Sequence, residues 1–225
     1  MFNKETCNKI RSMLCSNDTN LNRHSLTMAL SAFIWSRVKL AREINGNQIP
    51  CEAYQAVNIR SKVHTLSESY YYFGNMVVNA LAKLSNKHDE SALCNSFMET
   101  MENSIEKIIH EKGFIEGLQN GKEDLGFMAE HFERASRGEI MTFGFSSLRS
   151  LPIYEADFGW GKPIWVTSAT LVLNDIAIMI PGGASSEDTY VYVNLRPPQM
   201  ANLEADQLFL SFVSNKSANF VTSKM

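Results

Sequence analysis

Asp157-Phe158-Gly159-Trp160-Gly161-Lys162-Pro163 sets an acid, two aromatics and two glycines in succession before a proline closes the run. Glycine supplies backbone freedom where side chains do not fit, proline ends it, and Phe158 and Trp160 are large apolar groups that favour burial. The pattern predicts a tight, buried turn with the Asp157 carboxylate inside it. A buried acid requires a partner.

Working outward, the sequence after Gly138 has β texture. Ile140–Ser146 alternates, Ile164–Leu173 reads as a second strand, Asp175–Ile180 as a third and Thr189–Leu195 as a fourth, with Pro181-Gly182-Gly183 turning between the last two. These strands are expected to be antiparallel to one another, and Met200–Val213 to form a closing helix. Towards the N-terminus, Phe2, Ile10 and Leu14 mark a short helix, and the run from Leu26 to Ala41 repeats apolar residues every three or four positions. Arg37, Lys39 and Arg42 are mostly off that stripe, and Trp35 is expected in the core. Ala53–Arg60 reads as a strand. Tyr70–Phe73 reads as packing around the Gly74-Asn75 turn, from which Met76-Val77-Val78 resumes as a strand or helix start. Leu93, Phe97, Met98, Met101, Ile105 and Ile108 define a second amphipathic helix, and Leu125–Ala135 a further short one, with mobility expected between Lys112 and Gly138. Helices mixed with strands give an α/β class, a mixed sheet with flanking helices, in a single domain over 1–225.

Charged residues make up 20% of the chain and the formal net charge is −3, so the sequence carries no basic footprint for nucleic acid or an acidic membrane. Cys7, Cys15, Cys51 and Cys94 have no paired metal-ligand spacing and read as reduced, packed thiols; no metal site is expected. Without an apolar run of spanning length, a cytoplasmic location is expected. Ser223-Lys224-Met225 differs by one residue from a peroxisomal address, which makes peroxisomal import the minor alternative.

The Asp157–Gly161 run closely resembles the Asp-Phe-Gly-Trp-Gly signature of the plant BAHD acyltransferases, which move acyl groups from CoA thioesters to specialised metabolites. The resemblance extends to Gln55-Ala56-Val57-Asn58-Ile59-Arg60, similar to that family's Asn-x-Arg strand, and to Phe73-Gly74-Asn75, similar to its Phe-Gly-Asn turn. The wording is nearest the alkaloid and terpenoid branch typified by vinorine synthase. What the resemblance implies is the C-terminal domain of a CoA-dependent, chloramphenicol acetyltransferase-like fold, with acyl-CoA as co-substrate, a small-molecule acceptor and no bound cofactor. It gives the signature acid, with Phe158, Gly159, Trp160 and Gly161, a structural role through an arginine. Arg60 is the expected partner, because a planar guanidinium satisfies a carboxylate best. Gly74, Asn75 and Ser146 are the expected groups on the CoA side or at the acyl centre, Ser146 offering a hydroxyl to a developing oxyanion. Leu148 stands where the family often carries a tryptophan.

The family's catalytic element, His-x-x-x-Asp, does not occur. None of His24, His64, His88, His110 and His131 has an aspartate four residues later, and each reads as a surface or helix histidine. The resemblance therefore implies a C-terminal portion lacking the N-terminal histidine domain, with no catalytic residue of its own. Two expectations follow: half of an acyltransferase, inactive alone, or a truncated noncatalytic protein that binds a ligand or associates with itself through the face a partner domain would cover.

Overall fold

The computed structural model describes residues 1–14, 25–42, 49–60, 75–84, 90–110, 124–169, 171, 173–184 and 186–214. In chain order the elements are α1 (Lys4–Leu14), α2 (Leu26–Arg42), β1 (Cys51–Asn58), β2 (Val77–Leu84), α3 (Glu90–His110), α4 (Asp124–Ser136), β3 (Met141–Ser147), a short turn of 3-10 helix (Ile153–Glu155), β4 (Ile176–Pro181), β5 (Thr189–Asn194), α5 (Pro197–Glu204) and α6 (Gln207–Phe212). The expected α/β class with a mixed sheet and flanking helices is what the structure has. Tyr70–Gly74 and Ser223–Met225 lie outside the described residues, as do residues 112–123 of the stretch expected to be mobile.

The five strands run in the order β2-β1-β3-β4-β5. β1 pairs antiparallel with β2, β1 and β3 are parallel, β3 and β4 are parallel, and β4 returns antiparallel as β5. The expected all-antiparallel arrangement of the last strands thus holds only for β4 and β5. Those two are joined by a short loop closed by Gly182 N–H donating to Asp188 O at 2.8 Å. Between β3 and β4 the chain makes a long excursion, which carries it back to the starting end so that the strands lie parallel.

Side chains alternate across the sheet. On β3, Phe145 turns to Phe97 of α3 with ring centroids 5.6 Å apart, whereas Thr142 turns to His131 of α4. The sheet is therefore covered by α2 and α3 on one face and by α4 on the other. Helix α2 is buried nearly all round: Leu30, Phe33, Ile34, Trp35 and Val38 are inaccessible, and each contributes about 1.5–3 kcal/mol by leaving water. Arg37 and Lys39, expected off the apolar stripe, are buried too, and Arg37 reaches Asp206 at 3.5 Å. A helix enclosed by other helices and a sheet has no solvent side to give its cations.

Two further expectations are corrected. The described residues of Ile164–Leu173 form no strand: residues 164–169 run irregularly, with Ile164 fully exposed, and side chains contribute to the hydrogen bonds that tie the segment to β5. Thr167 Oγ1 donates to Tyr192 Oη at 2.8 Å, and Asn194 Nδ2 donates to Leu173 O at 2.7 Å. Without a ladder of backbone hydrogen bonds, the β-branched composition alone does not make a strand. The closing helix is split at Asp206, whose extended backbone breaks it and whose carboxylate caps the next segment by accepting from Phe209 N–H at 3.0 Å.

At Gly144 the sheet leaves no room for a side chain. A Cβ there would lie 2.3 Å from the Tyr54 ring on the adjacent strand, which sits across the glycine. Gly144→Ala is expected to destabilise the fold by about 1–3 kcal/mol through overpacking. A thermal melt of the variant checks this, an unchanged midpoint meaning that the ring moves aside freely.

Candidate functional site

The parallel strands β1 and β3 both end at one edge of the sheet, at Asn58 and Ser147, and β2 starts there, opposite Asn58 at Val77. Ligands of open sheets containing parallel strands commonly sit outside these carboxyl ends. Of the residues singled out in the sequence, Asn75, just before β2, Arg60, just after β1, and Ser146, near the end of β3, come to this edge. Gly74 lies outside the described residues. Arg60 N–H donates to Asn58 Oδ1 at 3.1 Å, which fixes the turn leaving β1.

An open cavity of about 460 Å³ lies at this edge, with Ser25, Gln55, Asn58, Ile105, Ser147 and Arg149 among its lining. Ser25 opens helix α2, its Oγ accepting from Met28 N–H at 3.1 Å. Gln55 Oε1 is buried without a hydrogen-bond partner among the described residues. The lining includes Ser147 and not Ser146. Alternation along β3 puts Ser147 on the face of Phe143 and Phe145, under α2 and α3, and turns Ser146 to the other face. Gln55, Ser147 and Arg149 were not selected from the sequence, although the period-two pattern of Phe143 and Phe145 held the signal for Ser147.

Asp157–Gly161 is a tight turn, as its glycines require: Gly159 and Gly161 stand at φ 102° and 101°, a region that side chains disfavour. It is exposed rather than buried, with Phe158 75% and Trp160 84% accessible. The Asp157 carboxylate is satisfied locally. Its Oδ1 accepts from Gly159 N–H at 2.8 Å and Gly161 N–H at 3.0 Å, and no ion pair joins it to Arg60 among the described residues. An exposed acid held by two amides of its own turn needs no buried cation. Asp157→Ala is accordingly expected to cost only about 1 kcal/mol in this chain; a thermal melt showing a loss several times larger would restore the buried anchor.

His131 is a helix histidine, as expected, but a buried one. It is 2% exposed on α4, with Nδ1 2.8 Å from Glu52 Oε2 and Nε2 2.7 Å from Thr142 Oγ1. A carboxylate only accepts, so Nδ1 carries the proton shared with Glu52. Arg134 Nη1 donates to the second Glu52 oxygen at 2.8 Å. Burial pushes the Glu52 carboxyl up, but the hydrogen bonds from His131 and Arg134, with the Arg134 charge, outweigh burial and hold it below the ordinary range. Tyr54 and Phe132 pack edge-on against the imidazole, at 5.8 and 5.2 Å between centroids. These contacts make the network a clamp tying α4 to β1 and β3, not an accessible base. His110 is exposed at the end of α3, and His24, His64 and His88 lie outside the described residues. Cys7, Cys51 and Cys94 are buried thiols; Cys15 lies outside the described residues. Among the described residues no group of three or more His, Cys, Asp or Glu could hold a metal ion, and no helix is long and apolar enough to cross a membrane.

Comparison with known proteins agrees with the layout. The model of the Transferase family matches residues 4–210. Stemmadenine O-acetyltransferase of Catharanthus roseus is 26% identical over 220 residues, covering 97% of this chain and 48% of that protein. Limonoid 1-O-acetyltransferase of Citrus sinensis is 31% identical over 167 residues, covering 71% of this chain and 35% of that protein. The crystal structure of vinorine synthase superposes with a TM-score of 0.70 at 22% identity, over 95% of this chain and 46% of that one. TRI101 of F. graminearum, solved with coenzyme A and deoxynivalenol, superposes with a TM-score of 0.63 at 17% identity, over 94% of this chain and 47% of that one. The chain thus spans about half the length of the relatives that it matches most fully. With the family model running from α1 to α6 and the Asp157–Gly161 signature in place, the chain belongs to the Transferase family of BAHD acyltransferases.

Proposed function

We propose that this chain forms the C-terminal half of a CoA-dependent acyltransferase that moves an acyl group from acyl-CoA to the hydroxyl or amine of a small specialised metabolite. The observation that carries the reading is the open polar cavity at the carboxyl ends of β1 and β3, in a chain matched by the family model over residues 4–210. In this reading the cavity is one wall of the acyl-CoA site. Asn75, Gly74 and Ser146 stand on the CoA side, and Ser147 and Gln55 are the groups lining the cavity itself. The reaction forms a bond from acceptor oxygen or nitrogen to the acyl carbon and breaks the thioester, releasing CoA. The acceptor proton passes to a base that this chain does not supply, and hydroxyls at the strand ends donate to the developing oxyanion.

Half of such an enzyme leaves uncovered the surface that its other half would meet. The segment around the signature fits that role: Leu151, Phe158, Trp160, Ile164, Trp165 and Leu173 all lie exposed between β3 and β4. So much apolar surface in one segment marks an interaction face. The isolated chain is expected to self-associate through it, and the double substitution Trp160→Ser, Ile164→Ser to shift the species towards monomer in sedimentation velocity. A wild-type chain that stays monomeric at all concentrations contradicts this use of the segment.

The test of the reaction is thiol release from acetyl-CoA with a panel of alcohol acceptors. The pure chain is expected to release no CoA above the uncatalysed background, while binding acetyl-CoA measurably by calorimetry. Ser147→Ala is expected to weaken that binding by about fivefold, the equivalent of one hydrogen bond of about 1 kcal/mol. Turnover by the chain alone would overturn the assignment of the base to a separate segment.

A further inference from the structure

Ile164-Trp165-Val166-Thr167-Ser168-Ala169 opens with the β-branched and aromatic residues that favour strands, and carries no charge. From Trp165 onward its side chains also alternate as those of a strand do: Trp165, Thr167 and Ala169 are exposed, whereas Val166 and Ser168 are half-buried. What the run lacks is a ladder. Among the described residues the backbone N–H groups of Ile164, Val166, Thr167, Ser168 and Ala169 donate no hydrogen bond, and Ala169 O accepts from the neighbouring Ser168 hydroxyl at 2.9 Å. The apolar side chains are no better covered, Ile164 being 99% and Trp165 41% exposed.

The run is nevertheless held in place. Pro163 fixes the backbone where it begins, the Thr167 hydroxyl is anchored on Tyr192, and Asn194 Nδ2 holds the far end through Leu171 O at 3.1 Å and Leu173 O at 2.7 Å. Part of the ordering cost of pairing is therefore met before a partner arrives. A solvent-exposed, uncharged run with unpaired amides is a template on which another strand forms.

We propose that residues 164–169 pair as an antiparallel strand with the same residues of a second copy of this chain. This rests on the self-association expected of the isolated chain above and names the contact that makes it. Charge decides the occupant: no charged residue lies between Pro163 and Leu173, so a second copy meets no like charge along the run. A two-fold axis between Val166 and Thr167 sets Trp165 opposite Ser168 and Ile164 opposite Ala169, each large side chain against a small one. It also keeps the two Lys162 side chains at opposite ends of the ribbon, where parallel pairing would bring them together. Such an interface is closed by its own symmetry and stops at the dimer.

Hydrogen exchange read by mass spectrometry on the intact chain, below and above the association midpoint found by sedimentation velocity, tests the pairing. Exchange across residues 164–169 is expected to slow about tenfold or more in the associated species, with β1 and β3 unchanged. Val166→Pro and Thr167→Pro remove neighbouring amides, which point to opposite sides of a strand, so one of the two strikes the ladder whichever side the partner takes. Both are expected to weaken association, the more affected by about tenfold or more, whereas Val166→Ala, which keeps the amide, weakens it less than that variant. Because the amides of Val166 and Thr167 are unbonded within one chain, melts of the dilute proline variants are expected to match wild type, which establishes that they are folded. Association undiminished in both folded proline variants but lost in the Trp160→Ser, Ile164→Ser double variant would overturn the strand pairing and leave the apolar face in use. A wild-type chain that stays monomeric would overturn both.

Discussion

Glu52→Ala is expected to destabilise the chain by about 3–5 kcal/mol, measured by urea unfolding at neutral pH. The carboxylate is 3% exposed and answers two side chains at once, His131 on one oxygen and Arg134 on the other. Removing it leaves the His131 N–H buried without an acceptor while Thr142 still holds the far side of the ring. Arg134, more exposed, can turn to water, so the larger part of the loss falls on the imidazole. Glu52→Gln keeps an acceptor for His131 and is expected to cost less than half as much. A Glu52→Ala variant within about 1 kcal/mol of wild type would mean that the clamp between α4 and the sheet is dispensable.

The same carboxylate sets a pH dependence. Its folded-state pKa is depressed, so its contribution is fully present above the unfolded value of about 4.3 and is lost as pH falls through the lower folded value. Wild type is therefore expected to lose stability in that acid window more steeply than Glu52→Gln, whose amide does not titrate. Parallel slopes for the two proteins below about pH 5 would contradict the assignment.

The second large effect is expected at Phe33. Its ring is fully buried and meets three others: Phe212 at 5.1 Å, Phe209 at 6.3 Å and Phe2 at 6.4 Å between centroids. These partners come from the first residues and the last helix, so one side chain of α2 joins both ends of the described chain. Phe2 is further fixed by backbone hydrogen bonds with Thr189 at the start of β5, at 2.9 and 2.8 Å. Phe33→Ala opens a cavity that none of these rings can fill without breaking its own contacts, and is expected to cost about 3–5 kcal/mol. Phe33→Leu, which keeps most of the volume, is expected to recover much of this. Equal unfolding midpoints for Phe33→Ala and wild type would show that the aromatic cluster is not part of the cooperative core.

Most helices were legible because their periodicity is strong. The apolar repeats of α2 and α3 fall where those elements form, and even the weaker Leu125–Ala135 run becomes α4. What periodicity hides is how many sides an element buries. The positions of Arg37 and Lys39 off the stripe suggested a solvent face, yet the surrounding helices leave none. Strand direction was not legible for a related reason: alternation in β3 and β4 fixes which residues face the core, not which way the chain returns between them. Ile164–Leu173 looked like a strand by composition, but composition supplies no partner for the backbone.

The site was legible as a region and not residue by residue. Asn58, Arg60, Asn75 and Ser146 were picked by resemblance and come to one edge, whereas the β3 hydroxyl that lines the cavity is that of Ser147, one position on. The Asp157 turn was recognisable from its glycines. Its exposure was not, because the sequence does not reveal that the carboxylate finds two amides within its own loop. His131 is the helix histidine expected, but its partner was not legible: its acid lies on a strand far away in sequence, and only the fold brings Glu52 beneath it.

The central proposal, that the chain is the C-terminal half of an acyltransferase whose base lies in another segment of the same polypeptide, is tested most directly by reading the native transcript upstream of the Met1 codon. The account predicts an open frame continuous with this one and encoding a domain with His-x-x-x-Asp. A native message in which translation can begin only at Met1 would contradict it.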